Sequence, residues 1–475
     1  MQVSRRTWLT ATAGSAALAL TGCPKQTPQS SVVTPNGGSQ KPLRVWIVAL
    51  PQLQEKIERF WNAQSDVALD VRLQTIEEAR AAKRLTTDVV IYPSALLGTF
   101  AAADQLAPLS RGMLEDERFQ PGDLLRHART TEVQWGDQTM TISLGSPTPL
   151  LLYRRDILAK LQLSPPTTWA EYQALAEQLA KTEAFQELLA GAEGNWSPVC
   201  EPSGAGATGG VITFLVRAAS YARHRNDFGA LFDLKTMRSL VSTPPFVRAL
   251  EDQLAAAKLS SGTPVTADQA ADAISAGRCG LSLGWLMPES KLAANVGIAE
   301  LPGSADRYDV RGGAWEPREP GEATSVPLLG PAGVLASVTM AARQPKAAES
   351  FLTWLSAGEE SPQIATSYPR ATPFRRSHLA APQAWLPEGI SSDATAEYVA
   401  TLRQTHERSV YLLAPRMPGA NEYLAALEAA LAQAAAGTPA AESLAAAAKQ
   451  MDQLTERLGR TEQSRAYQRS LGLDV

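Results

Sequence analysis

The chain has 475 residues, 44% of them hydrophobic and 19% charged, with 44 Lys and Arg against 48 Asp and Glu. That length exceeds what one core supports, so two or three lobes are expected, and that apolar content excludes a disordered polymer. A net charge of −4 with no dense basic run offers no phosphate-neutralising surface, so nucleic acid is excluded as a partner.

The first elements in chain order concern export. Ser4-Arg5-Arg6-Thr7-Trp8-Leu9 sets paired arginines ahead of a short apolar run, Ala16 to Leu20, which ends at Leu20-Thr21-Gly22-Cys23. Basic residues, an apolar segment too short to span a bilayer and small residues before a cysteine describe an export signal over 1–22. The ending resembles the bacterial lipoprotein box, in which the cysteine is acylated. The paired arginines resemble a twin-arginine signal, with Trp8 where that signal usually has Phe. Cys23 is therefore the lipidation candidate, and the expected location is outside the cytoplasmic membrane, held to a membrane by lipid. Residues 23–41, rich in Pro, Gly, Ser and Thr, read as the lipidated cysteine and a flexible linker.

The folded body opens with a short apolar strand, Leu43 to Val48. A helix follows with Leu53, Ile57, Phe60 and Trp61 at helical spacing. Val67 to Leu73 alternates as a strand, and Asp88 to Tyr92 reads as a buried strand closed by Pro93. Strands alternating with helices at these lengths predict a parallel α/β sheet. Thr139 to Tyr153 reads as extended, and Thr168-Trp169-Ala170-Glu171 as a capping box opening a long helix. Further strands are predicted at Arg278 to Trp285, Asn295 to Leu301 and Gly333 to Thr339, and a helix at Lys346 to Ala357. The end reads as helical, from about Asn421 to Ala435, then in a helix capped by Thr438 with Pro439 at its first position.

Few motifs carry chemistry. Gly204-Ala205-Gly206-Ala207-Thr208-Gly209 fits GxGxxG, but residues 196–202 do not read as the feeding strand that a dinucleotide site requires. There is no GxSxG or Walker sequence, and His127, His224, His378 and His406 are scattered without metal-ligand spacing. No cofactor and no metal are expected. Cys200 and Cys279 could form a disulfide in an oxidising compartment or remain as buried thiols.

Leu150-Leu151-Leu152-Tyr153-Arg154-Arg155-Asp156-Ile157-Leu158 followed by Pro165-Pro166-Thr167-Thr168-Trp169-Ala170-Glu171-Tyr172 resembles a signature of extracellular solute-binding proteins of the sugar-binding (maltodextrin-type) family of ABC importers. Asp88-Val89-Val90, Leu106 to Leu109, Ala276 to Gly280 with Trp285, Gly297 to Gly303 and Ala341 to Leu355 resemble further fragments of that family, in its order, from about Leu43 to Leu458. The resemblance implies a two-lobed α/β fold of the periplasmic-binding-protein type. Each lobe is a mainly parallel sheet flanked by helices, and a hinge of crossing strands joins them. Lobe one is placed at 42–146 plus 334–385 and lobe two at 147–333 plus 386–475. The crossings fall near Gly145 to Leu150, Pro327 to Leu335 and Ala381 to Ser391. The implied function is capture of a small solute, a sugar or oligosaccharide, in the interlobe cleft by a monomer that delivers it to ABC importer permease subunits.

Open α/β sheets place ligands at the C-terminal ends of strands. Flat aromatics stack on a sugar's C–H face while hydroxyl and charged groups bond its rim. The candidate ligand residues are Trp46, Tyr92, Ser94 and Ser146 from the first lobe and its crossing. From the second lobe they are Trp196, Ser197, Trp285, Trp315 and Arg416. No catalytic residue is assigned. The alternatives are a glycan-acting enzyme, which would need two carboxylates facing across the aromatics, and a sensor or scaffold on the same fold. The apolar Ala49-Leu50-Pro51-Gln52, where the family often has charged gripping residues, and the acidic, Pro-rich loop Glu316 to Glu322 depart from the pattern.

Overall fold

Residues 41–181, 196–203, 209–225, 227–260, 262, 265–286, 292–366, 372–386 and 389–474 are described by the structure, a computed structural model. The export signal, Cys23, linker residues 24–40 and the Gly-rich residues 204–208 lie outside them. Nine strands build two sheets: β1 (Leu43–Val48), β2 (Leu69–Gln74), β3 (Val89–Pro93), β4 (Ile142–Ser143), β5 (Leu150–Arg154), β6 (Ser197–Cys200), β7 (Cys279–Gly284), β8 (Val296–Ala299) and β9 (Val334–Val338). The first sheet has the order β2-β1-β3-β9-β4 and the second β8-β5-β7-β6.

Within the first sheet, β1 pairs in parallel with β2 and β3, and the helix Pro51–Asn62 between β1 and β2 buries Leu53, Ile57 and Trp61. That is the parallel strand–helix–strand arrangement the alternation predicts. The sheets are mainly parallel in strand direction, and each holds one reversed strand. β9 is antiparallel to both β3 and β4, and β5 is antiparallel to both β7 and β8. The reason is the route of the chain. β5 and β9 each enter their sheet straight from an interlobe crossing, so they start where the neighbouring strands end and run the other way.

Two local expectations change. Residues 197–200 form β6, paired in parallel with β7. Pro198 is tolerated because β6 is an edge strand, and pairing with β7 supplies the order that local composition does not. The last long helix starts at Ala440, with Pro439 as its cap and no side-chain bond from Thr438. Thr139 to Tyr153 is broken into the short strands Gln138–Thr139 and β4, then β5, with bends between. The capping box at Thr168 does form: the Glu171 amide donates to Thr168 Oγ1 and the Thr168 amide to Glu171 Oε2, both at 3.2 Å. It opens the helix Trp169–Lys181, which buries Trp169, Tyr172, Leu175 and Leu179.

The apolar side chains divide as the two sheets do. Val45, Ile47, Ile91, Phe351 and Leu352 belong to a core of the first lobe, and Leu152, Ile274, Ile298 and Tyr398 to a core of the second. A third cluster runs through both, from Val90, Tyr92 and Leu335 to Leu151, Leu281 and Trp285, with Met417 and Tyr423. The lobes therefore meet over apolar surface, and residues 41–475 pack as one unit. Near the third crossing, Phe374 packs into the first core and Leu379 and Trp385 into the second. The Leu125 amide donates to the Phe374 carbonyl at 2.9 Å.

Candidate functional site

Within the two sheets, the strands other than β5 and β9 run toward one line, where the crossing segments pass from sheet to sheet. On the first side β3 ends at Pro93, opposite Val334. On the second β7 ends at Gly284, opposite Leu150, the first residue of β5. Backbone bonds stitch the line together. The Ser94 amide donates to the Gly333 carbonyl at 2.7 Å, Leu144 to Val334 at 2.9 Å and Val334 to Gly145 at 3.0 Å. Gly333 lies so close to Ser146 that a Cβ there would collide with Ser146 Oγ, and a Cβ on Gly145 would collide with the Thr372 carbonyl. A side chain at 333 would therefore have to displace the Ser146 hydroxyl where the two crossings touch.

Three sequence candidates lie on this line. Ser94 Oγ donates to the Gly330 carbonyl at 2.9 Å and ties β3 to the crossing. Ser146 is buried, its carbonyl accepts from Thr372 Oγ1, and its own Oγ finds no partner among the described residues. Trp285 directly follows β7 and is 2% exposed. Tyr92 sits just behind them in the core. Its ring packs edge-on against Phe100 at 5.2 Å, its hydroxyl bonds Ser337 Oγ at 2.8 Å, and burial pushes its phenol up to about 12. Trp46 lies mid-strand in β1, opposite Arg72 and Val90, half-buried against the shared apolar cluster.

The remaining candidates are elsewhere. β6 runs toward the line, so Trp196 and Ser197, at its start, are at the far end of the sheet, and Ser197 Oγ donates to the Val199 carbonyl. Trp315 is on a hairpin of Asp306–Asp309 with Ala314–Pro317. It contacts Tyr221, eleven residues along the helix Gly210–Ala222 from its start beside the line, about 16 Å away at the helical rise. The acidic loop beside it is stapled inward, because Glu322 accepts from Arg307 at 2.6 Å and from Arg318 at 3.0 Å. Arg416 is buried behind the line and donates to four backbone carbonyls, Thr131, Glu132, Gln134 and Ser470, at 2.6–2.9 Å. Burial lowers its guanidinium to about 10, still charged at neutral pH. Its Nη1 and Nη2 are spent on the backbone, while Nε finds no partner among the described residues, so the side chain acts as a structural tie.

Two features escaped sequence reasoning. Glu201 directly follows β6 at the line, is 8% exposed, and accepts from Tyr172 Oη at 2.7 Å and Arg217 Nη2 at 2.6 Å. The Arg217 guanidinium in turn lies 4.6 Å over Trp169. Recognising 197–200 as a strand would have placed this carboxylate at a strand end. Ala49, directly after β1, has φ of 56°. Such a left-handed conformation in a non-glycine residue stores strain of the kind that gathers at ligand clamps, and no composition signal announces it.

Cys200 and Cys279, candidates for a disulfide, are both free, buried thiols that hydrogen-bond each other. Burial holds Cys279 protonated and its hydrogen bond lowers Cys200. Among the described residues no group of three His, Cys, Asp or Glu side chains could hold a metal ion, and no helix is long and apolar enough to cross a membrane.

Residues 72–391, about two thirds of the chain, match the family described as "Bacterial extracellular solute-binding protein". The chain belongs to this family. No curated protein sequence matches it. Among solved structures, the sugar-binding protein MalE of Xanthomonas citri is similar at a TM-score of 0.65 and 17% identity, over 89% of this chain and 100% of that one. An ABC transporter solute-binding protein of Agrobacterium vitis with bound D-mannitol has a TM-score of 0.60 and 16% identity, over 88% and 99%. Maltose-bound MalE3 of T. maritima has 0.59 and 18%, over 87% and 100%. At these identities the likeness establishes the fold: this solute-binding protein has the two-lobed architecture, with its strand ends meeting at the crossings.

Proposed function

We propose that this solute-binding protein captures a carbohydrate, a sugar, polyol or oligosaccharide, between its lobes and delivers it to the permease subunits of an ABC importer. It acts as a monomer held outside the cytoplasmic membrane by a lipid on Cys23. The observation that carries the reading is the convergence of Ser94, Ser146 and Trp285, from both lobes and a crossing, on one line of strand ends. In this reading the Trp285 ring stacks on the ligand's C–H face and Ser146 Oγ bonds a hydroxyl. Glu201 accepts from a second hydroxyl through the lone pairs that Tyr172 and Arg217 leave open. The bound carbohydrates in the A. vitis and T. maritima relatives support the substrate class.

No covalent step is required. A ligand that touches both lobes binds the closed state better than the open one and so shifts the equilibrium toward closure. The test is a thermal-denaturation screen against mannitol, ribitol, maltose and longer oligosaccharides, with amino acids as the contrast. A ligand at a hundred times its dissociation constant stabilises the fold by about 2.7 kcal/mol. Response to amino acids and to no carbohydrate would overturn the substrate class. Turnover of a responding oligosaccharide would overturn the non-enzymatic reading.

A further inference from the structure

Away from the cleft, the turn Asp233 to Arg238 and the helix Arg460–Ser470 enclose a shallow groove of about 770 Å³. Its lining includes Lys235, Arg238, Arg460 and Arg465, with Thr461 and Gln468, and contains no acidic side chain. This concentration of positive charge is out of keeping with the molecule, which has more acids than bases overall.

The groove is built, not frayed. Asp233 Oδ1 accepts from the amides of Lys235 at 3.1 Å and Thr236 at 2.7 Å, and from Thr236 Oγ1 at 2.7 Å. Met237, at φ of 53°, is fully buried and anchors the turn from below. The helix is bolted to the turn by Gln468 Nε2 on the Leu234 carbonyl at 2.9 Å and by Arg460 Nη1 on the Thr236 carbonyl at 2.6 Å. Residues 461, 464, 465 and 468 occupy one helix face at i, i+3, i+4 and i+7, so the floor is fixed by helical geometry.

Arg460 is neutralised by Glu456 at 2.7 Å. Lys235, Arg238 and Arg465 are exposed, and Lys235 also feels the Asp233 carboxylate that caps the turn. Three cations gathered on a rigid floor repel one another, and an external anion relieves that repulsion. A closed pocket would suit a single desolvated ion. A shallow, open groove with charges on long arms suits phosphodiesters presented side by side in a plane.

We propose that this groove seats the phosphate headgroups of an anionic phospholipid surface. Such a contact would orient the body on the bilayer. Fully extended, the linker of residues 24–41 spans at most about 60 Å, short enough to keep an acylated protein within reach of that surface.

The test uses the full chain carrying Cys23→Ser, so that no acyl chain contributes, sedimented with phosphatidylcholine vesicles with and without phosphatidylglycerol. The triple substitution Lys235→Gln, Arg238→Gln, Arg465→Gln is compared with Lys83→Gln, Arg84→Gln, Lys160→Gln, which removes the same charge from exposed sites elsewhere. Near an anionic surface each cation adds to the binding. Partitioning onto phosphatidylglycerol vesicles should therefore fall at least about tenfold in the groove variant and stay within about twofold in the control. All substituted side chains are exposed, so both variants should keep the parent's circular dichroism and melting temperature. Equal losses in the two variants, or no loss in either, would overturn the proposal. So would a melting shift by inorganic phosphate that only the groove variant loses while vesicle binding is unchanged, which would assign the groove to free phosphate.

Discussion

The line of strand ends and the Trp315 hairpin hold the same kinds of side chain, and their surroundings separate them. Trp285 follows a central strand of the second sheet, is buried, and lies where the chain passes between lobes. Trp315 is 36% exposed and already engaged, with the Arg248 guanidinium 4.9 Å from its ring and 4.5 Å from that of Tyr221. Arg248 also bonds Asp306 at 3.1 Å, so the patch satisfies itself. Exposure on a Gly- and Pro-rich loop points toward Trp315, yet the feature that serves a clamp is position at a joint that both lobes share. An aromatic ring beside polar groups is not by itself a binding site.

The largest effect should come from the tie behind the line. Arg416→Ala strips four buried carbonyls of their donor and should cost about 3–5 kcal/mol, read by urea denaturation. A cost below about 1 kcal/mol would mean that the lobes do not depend on it.

Acid should also act on the line. His127 and His406 face each other at 6.1 Å beside the crossing, where His406 Nε2 bonds Thr148 Oγ1 at 3.1 Å. Arg126, Glu132, Glu407 and the Tyr411 ring surround them. Burial lowers both, His127 to about 3. The unfolded chain takes up these protons first as pH falls below about 6.5. Their contribution is thus complete above that pH and is lost as pH falls; for His127 the decline runs toward pH 3 at about 1.4 kcal/mol per unit. His378, lowered by burial to about 4, adds to the slope down to that pH. His406→Gln should make stability measured between pH 7 and 4.5 less steep, and an unchanged slope would remove His406 from this account.

Binding should separate the two tryptophans. Trp285→Ala should weaken carbohydrate affinity by about 30-fold or more in titration calorimetry, as loss of a buried aromatic anchor does. Trp315→Ala should leave affinity within about twofold and cost about 1 kcal/mol of stability through the lost cation–π contact. Reversal of that order would move the site to the hairpin.

Strand and helix placement was legible because it rests on local periodicity. β1, β3 and the helices Pro51–Asn62 and Trp169–Lys181 fall within a residue or two of their patterns. The fragment order from Tyr153 to Trp169 likewise pointed to the family that residues 72–391 match. β6 was not legible, since Pro198 argues locally against a strand and only the neighbouring β7 makes one. With β6 unseen, Glu201 could not be placed at a strand end. Strand direction was equally hidden. β5 and β9 run against their neighbours because they arrive from the other lobe, a fact of chain routing that no window of residues contains.

The amino-acid sequence alone therefore determined the class of the molecule: helices and strands whose spacing needs only nearest neighbours, with a family signature in their order. The tertiary structure decided which of nine plausible ligand residues share a surface. Ser94 is bonded to Gly333 and the Ser146 carbonyl to Thr372, and Trp285 follows the strand that pairs with Leu150, whereas Arg416 bonds backbone carbonyls and Trp315 packs against Arg248. A side chain's chemistry is written in its own residue. Its availability depends on every group folded against it.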